Sequence, residues 1–338
     1  MSHRMYQHSM IYVYCKCFFL KTENMKHTKY TFLLPAYKPD FFEEALRSIK
    51  EQTYSDFKVL VSDDCSPHDL KSIFDKVCGD DERFKYRRNE ENMGGKSLVS
   101  HWNLLVNMCD TEYLILASDD DVYEPTFLEE VDKLARKYPE VDLIRARVWL
   151  INEKGELLEK EAIYEEKLTG LEFISQLYGN HYIKCIANFA FKTKPLIDEG
   201  GFVDFPLAWH SDSATAIMMS RNGVANTKEE LFSFRSSEVN ISYGKNTKRS
   251  SYGKIRATML YDIWLNKILN VLAMYNVRSN YDNHTLSFIR RIHNINKITE
   301  LYTYISGVSF RKLCEILKET KSLYINLNCL YLYLKGKI

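Results

Sequence analysis

Three consecutive aspartates, Asp119, Asp120 and Asp121, stand in "LASDDDVYEP" between the apolar run "EYLILA" and Pro125. Like charges at adjacent positions repel, so the arrangement costs stability unless something cationic sits among them. A hard divalent ion, Mg²⁺ or Mn²⁺, would serve: it takes one or two protein carboxylates and completes its shell with phosphate oxygens and water. Asp63 and Asp64 form a second acidic pair in "SDDCS", and Asp212 lies in "WHSDSATAIMMSRNG". Each has an ordinary structural explanation as well. Carboxylates favour a helix N-terminus and proline favours the first helical position, which suits Asp119–Asp121 ahead of Pro125. Asp64 or Ser66 could cap a following helix, and Asp212 could cap one over 213–221.

The elements that must carry these residues alternate in type. "KYTFLLPAY" is a short aromatic and branched run halted by Pro35, as expected of a buried strand ending in a loop. "DFFEEALRSIKEQT" repeats apolar residues at helical spacing (Phe42, Ala45, Leu46, Ile49) with carboxylates in its first turn. A strand "FKVLVSDD", a helix near 68–78, a strand "RFKYRR", a helix near 97–108 and the strand "EYLILA" follow. Such alternation predicts a parallel, doubly wound α/β sheet, whose ligands bind beyond the carboxyl ends of the strands. "PAY", "SDDCS" and "SDDD" all fall at such ends, and it is this coincidence that favours chemistry over capping. After Asp142 the reading is less regular: strand "VDLIRARVWLI", helix "GLEFISQLY", strand "IANFAFKT" and helix "SATAIMMSR". From Lys254 onward, Leu, Ile, Tyr and Lys at helical spacing predict several helices.

Composition narrows the function classes. The apolar (45%) and charged (27%) fractions are those of a folded globular protein. The net charge of +1 hides an asymmetry: 13 Lys/Arg against 5 Asp/Glu from Lys254 to the end give +8, which leaves the first 253 residues at −7. Eight cysteines show no C-x-x-C pair and no zinc spacing, which reads as reduced cytoplasmic thiols. "MIYVYCKCFFL" is too short to span a bilayer and no cleavage site follows it, so residues 1–27 read as a dispensable N-terminal extension. "NMGGKS" ends like a P-loop, but Glu90 occupies the position of the required first glycine. No G-x-G-x-x-G is present, which argues against a dinucleotide site. Lys96 could still contact a phosphate.

"LLPAYKPDFFEEALRSIKEQTYSDFKVLVSDDCSPHD", together with "LASDDDVYEP", resembles the family 2 glycosyltransferases, over roughly Tyr30 to Arg235. The resemblance implies the GT-A fold: a Rossmann-like, mostly parallel sheet flanked by helices, which binds a nucleotide-sugar. It implies a catalytic domain over 28–253, with 254–338 as a basic, helical C-terminal region. Pro35, Ala36 and Tyr37 would line the nucleotide pocket, and Asp64 would accept from base or ribose. Asp120 would hold Mg²⁺ or Mn²⁺, with Asp119 near the ribose or diphosphate and Arg235 near the diphosphate. Ser118 stands where many members have the first acid of D-x-D, so either Asp119 or Asp121 would supply the second acidic contact, and Asp121 is the metal-side candidate. Asp212 would be the general base, with Ser211 in place of the first acid of the family's pair.

The reading is an inverting, metal-dependent glycosyltransferase that moves sugar to a hydroxyl of a saccharide or lipid-linked saccharide in cell-surface polysaccharide synthesis. It implies a cytoplasmic protein, with peripheral contact to the inner face of the plasma membrane through the basic C-terminal region. Two alternatives stand beside it. A nucleotidyltransferase would carry a Gly-rich basic loop after the first strand, and "LLPAYKPD" lacks one. A GT-A-like binding protein that has lost catalysis would fit Ser118 and Ser211.

Overall fold

The computed structural model describes residues 28–179, 182–237, 247–275, 280–305 and 307–320. The extension 1–27 and the terminal segment "LYINLNCLYLYLKGKI" lie outside the described residues. Six of the seven residues of β1 (Tyr30–Ala36) are buried, as in a strand covered on both faces. It pairs in parallel with β2 (Phe57–Asp63) on one side and β4 (Tyr113–Leu116) on the other, and β3 (Phe84–Arg88) extends the sheet beyond β2. The crossovers are α1 (Phe42–Lys50), α2 (Leu70–Cys78) and α3 (Leu98–Val106).

Beyond β4 the sheet becomes mixed. Strand β9 (Phe189–Lys192) runs antiparallel to both β4 and β6 (Leu143–Ile151), and β10 (Val224–Arg235) runs parallel to β6. The two-residue β5 (Val122–Tyr123) closes the edge against β10, giving the order β3-β2-β1-β4-β9-β6-β10-β5. β7 (Leu157–Lys160) and β8 (Lys167–Leu168) pair off this path, on β6 and β10. The remaining helices are α4 (Phe127–Lys137), α5 (Gly170–Tyr178), α6 (Thr193–Asp198), α7 (Ser211–Met219), α8 (Lys248–Tyr275), α9 (Asn280–Ile305) and α10 (Phe310–Thr320).

Alternation along β1 divides the core. Phe32 and Leu34 face a layer with Phe42, Leu46, Phe74 and Phe127. Leu33 faces the opposite layer, where Leu114, Leu116, Trp102 and Phe191 share one cluster with Ala257, Tyr261, Leu265, Leu269, Leu286 and Ile289 of α8 and α9. Each large side chain so buried contributes roughly 1.5–3 kcal/mol. The C-terminal helices thus share one core with the sheet, and the expected boundary at 253/254 falls inside α8. Asp262, an interruption in an apolar run when read from sequence, is a buried interhelical contact: it accepts from His293 at 2.8 Å and Lys297 at 2.9 Å. No helix among the described residues is long and apolar enough to cross a membrane.

The capping explanations do not survive. Between the three aspartates and the next helix lies β5, and Thr126 is the N-cap of α4, so Asp119–Asp121 sit too far ahead to serve its dipole. Asp69, and neither Asp64 nor Ser66, caps α2 by accepting from the Ser72 amide at 3.0 Å. Helix α7 begins at Ser211 after His210, so Asp212 lies in its first turn and is not the cap.

Candidate active site

The carboxyl ends of β1 and β4 bring two loops together, and Asp119 joins them. Its Oδ2 accepts the backbone N–H of both Tyr37 and Lys38 at 2.8 Å, which ties the acidic loop to the "PAY" loop. The Lys38 ammonium then sits 2.6 Å from Asp120 Oδ2 and 3.4 Å from Asp119 Oδ1. Ser118 Oγ donates to the other Asp120 oxygen. Asp121 turns elsewhere: its Oδ1 accepts from the Arg235 amide at 2.9 Å. Asp121 was the expected second metal contact, but the backbone that carries it into β5 directs its carboxylate to β10. Asp119 is the acid that shares a cation with Asp120. Burial, and then the Asp120 charge, raise the Asp121 carboxyl well above the usual range. Burial also raises Asp119, against the opposing pull of Lys38.

Arg235 lies beneath this loop, only 1% exposed, where a place beside the diphosphate was expected. Its Nε donates to the Asp120 carbonyl at 2.8 Å, Nη2 to Glu44 at 2.6 Å, and Nη1 to the carbonyls of Asn152 and Glu153 at 3.3 Å, while the guanidinium covers the Phe41 ring at 4.4 Å. A planar five-donor fork can serve so many acceptors at once, which a lysine ammonium cannot. The side chain therefore acts as a clamp on the acidic loop from below.

Ala36 is buried and Tyr37 half exposed at the mouth. Pro35 precedes them within β1, and the Ala36 carbonyl accepts from the Asp64 amide at 2.9 Å. The Asp64 side chain, expected to meet base or ribose, is held by the protein: it accepts from Asn89 at 2.8 Å and from the amides of Met93 at 2.9 Å and Gly94 at 2.7 Å. A Cβ on Gly94 would stand 2.9 Å from Asp64 Oδ2, so this approach requires glycine. Asp64 thereby shapes the "NMGGKS" loop, on which Lys96 points outward, exposed and paired with Glu91 at 2.7 Å. Lys96 is not brought to the acidic loop.

Asp212 approaches from the other half of the sheet. It is partly buried, and its Oδ1 accepts from the Ser213 amide at 2.6 Å. The buried Cys185 thiol, raised first by burial, is raised further by the charges of Asp121 and Asp212, so both carboxylates lie within electrostatic reach of one group. Leu207, Ala208 and His210, just ahead of Asp212, have φ of 61°, 55° and 69°. This left-handed conformation costs a non-glycine residue roughly 1–2 kcal/mol. Sequence reasoning missed Lys38, Glu44, His210 and Glu300. Lys38 had a signal, since it directly follows Tyr37 in the expected pocket loop, whereas Glu300 reaches the site from α9 with no local motif.

The sequence profile described as Glycosyl transferase family 2 matches residues 31–200, half of the chain. An uncharacterised glycosyltransferase of Rickettsia conorii is 24% identical over 84% of this chain and 47% of its own length. A GalNAc(5)-diNAcBac-PP-undecaprenol beta-1,3-glucosyltransferase of Campylobacter jejuni is 33% identical over 23% of this chain and 25% of its own. The chain thus spans less than half the length of the curated relatives it matches. Among solved structures, S. aureus TarS 1–349 in complex with UDP-GlcNAc superposes with a TM-score of 0.62 over 90% of this chain and 89% of that one, at 16% identity, a likeness of fold.

Proposed function

We propose, for a chain that belongs to glycosyltransferase family 2, an inverting transfer of sugar from a nucleotide-sugar to a hydroxyl of a saccharide or lipid-linked saccharide in cell-surface polysaccharide synthesis. The observation that carries it is the pair Asp119 and Asp120, converging on one cationic point at the carboxyl ends of β1 and β4. The solved TarS complexes hold UDP-GlcNAc and UDP, which supports a UDP-sugar as the first donor to test.

Ala36 and Tyr37 would flank the nucleotide, and the Lys38 ammonium would be a counter-charge for its phosphates. Asp212 would take the acceptor hydroxyl's proton as the acceptor oxygen bonds to the anomeric carbon from the face opposite the leaving group. The bond from that carbon to the diphosphate oxygen breaks, the diphosphate leaves with the electron pair, and the anomeric configuration inverts. The residues also fit a divalent cation. Asp120 Oδ2 and Asp119 Oδ1 already meet on a positive group, and one or two carboxylates suffice when phosphates complete the shell. Asp120 and Asp119 would hold Mg²⁺ or Mn²⁺ once Lys38 withdraws, and such an ion neutralises charge on a departing diphosphate.

A thermal-shift panel of UDP-, GDP- and dTDP-sugars with and without Mn²⁺ tests the reading. Ligand at 100 times its Kd adds about 2.7 kcal/mol of stability. We expect one nucleotide class to stabilise the wild-type chain in a Mn²⁺-dependent way, and Asp120→Asn to lose that response while remaining folded. An Asn variant with wild-type donor affinity and metal response would refute the assignment.

A peripheral contact with the inner face of the plasma membrane is proposed on separate grounds. Phe288, Ile295, Ile298 and Tyr302 are exposed at helical spacing along α9, with the exposed Arg291 among them, in the region from Lys254 onward that carries +8. Anionic lipid adds about 1 kcal/mol per nearby Lys or Arg. Co-sedimentation with anionic vesicles is expected, weakened by high salt and by Ile295→Glu with Ile298→Glu. Equal sedimentation with neutral vesicles, or none with either, would leave α9 as a purely packed helix.

A further inference from the structure

Three residues in the left-handed region within four positions need neighbours that overdetermine them. Those neighbours come from the C-terminal helices. Glu300 of α9 is the centre of the contact. One oxygen, Oε2, lies 2.9 Å from His210 Nε2 and accepts from Thr258 Oγ1 at 2.8 Å and Trp209 Nε1 at 3.3 Å. The His210 ring stacks on Tyr261 of α8, with centroids 4.6 Å apart and planes 10° from parallel. Lys254 covers the Trp209 ring at 4.4 Å, and Gly253 leaves room for Leu207, whose Cδ1 would be 2.6 Å from any Cβ there. The Glu300 carboxyl is held low, at about 2: burial alone would raise it, and the bonds from His210, Thr258 and Trp209 outweigh that effect. The His210 carbonyl, at the N-cap two residues before Asp212, then accepts the Ala214 amide at 2.9 Å as the first helical bond of α7.

We propose that Glu300 is a positioning residue: through His210 it fixes the start of α7 and hence the direction of the Asp212 carboxylate, which makes α9 a working part of the active site. The inference rests on the reading of Asp212 as the base. On that reading Glu300 never touches substrate, so its loss should lower kcat while leaving donor KM nearly unchanged.

The test uses the full chain and follows nucleoside diphosphate release from UDP-GlcNAc, or from whichever sugar of the UDP, GDP and dTDP panel binds. Glu300→Ala should lower kcat about 10- to 10²-fold, a size typical of misplacing a catalytic group, with donor KM within about threefold. His210→Asn should do the same without unfolding the turn, because asparagine tolerates the left-handed conformation but is too short to reach Glu300. Glu300→Gln keeps an acceptor oxygen and should restore kcat to within about threefold of wild type. In an Asp212→Asn background, adding His210→Asn should cost less than about twofold more, since coupled groups are not additive.

Wild-type kcat in folded His210→Asn beside an inactive Asp212→Asn would overturn the positioning role and leave the base intact. Fully active Asp212→Asn would overturn the base, and the inference with it. Independent, multiplying losses in the double variant would also overturn it, as would failure of Glu300→Gln to rescue. Should Glu300→Ala fail to fold, His210→Asn and Glu300→Gln decide alone.

Discussion

Asp212→Asn is expected to lower turnover by about 10²-fold or more and leave donor affinity nearly unchanged. The carboxylate lies in the first turn of α7, where its only described hydrogen bond is from the Ser213 amide. An amide oxygen can accept that bond, and the loss of charge near the helix N-terminus costs only about 0.3–1 kcal/mol. The variant should therefore melt close to wild type and bind nucleotide-sugar as before. What it loses is a group able to take a proton. Measured kcat, KM and thermal midpoint together separate the two roles. An Asn variant with full turnover would mean that Asp212 only secures the first turn.

The second large effect is on stability. Arg235→Ala should cost about 2–4 kcal/mol, since the buried Asp120 carbonyl loses its donor at roughly 1–3 kcal/mol and the packing of a fully buried side chain over Phe41 is lost with it. The substitution leaves the Asp120, Asn152 and Glu153 carbonyls and the Glu44 carboxylate without this donor. Arg235→Lys should recover only part of this, because the ammonium cannot serve acceptors spread across the planar fork. Urea unfolding measures both. A loss below about 1 kcal/mol for Arg235→Ala would show that the acidic loop holds its shape without the clamp, contrary to the burial observed.

Much of this fold was legible because the sheet's first half is written in local signals. Continuous apolar runs and helical spacing placed β1, α1, β2 and β4 within three residues, and the capping box Thr169/Glu172 frames α5 where "GLEFISQLY" predicted it. The meeting of the acidic loop with the "PAY" loop was legible for the same reason, since Ala36 and Asp119–Asp121 stand at strand ends. Strand β5 was not, because two residues carry no periodicity and gain strand form only from the partner β10. Arg235 could be placed near the acids but not beneath them, since its burial depends on carbonyls from 152–153 and a carboxylate at Glu44. Glu300 was invisible, being 88 positions beyond Asp212 along the chain. Nothing local in a helix records which distant turn it will grip.

Lys38 has a consequence for energetics at the acidic loop. With its ammonium between Asp119 and Asp120, the acidic loop already carries a counter-charge from within. On the proposed reading, a diphosphate or a divalent ion arriving there would meet an occupied position, so its binding would be an exchange of ionic partners and not a simple addition of charge. The ammonium can leave the carboxylates for a phosphate as a metal takes its place, and each group then keeps a counter-charge. Anion and cation should accordingly load together: either alone leaves one charge stranded, while the two in concert leave none. On the proposed reading, mutually dependent loading of nucleotide and metal would follow from one lysine's position.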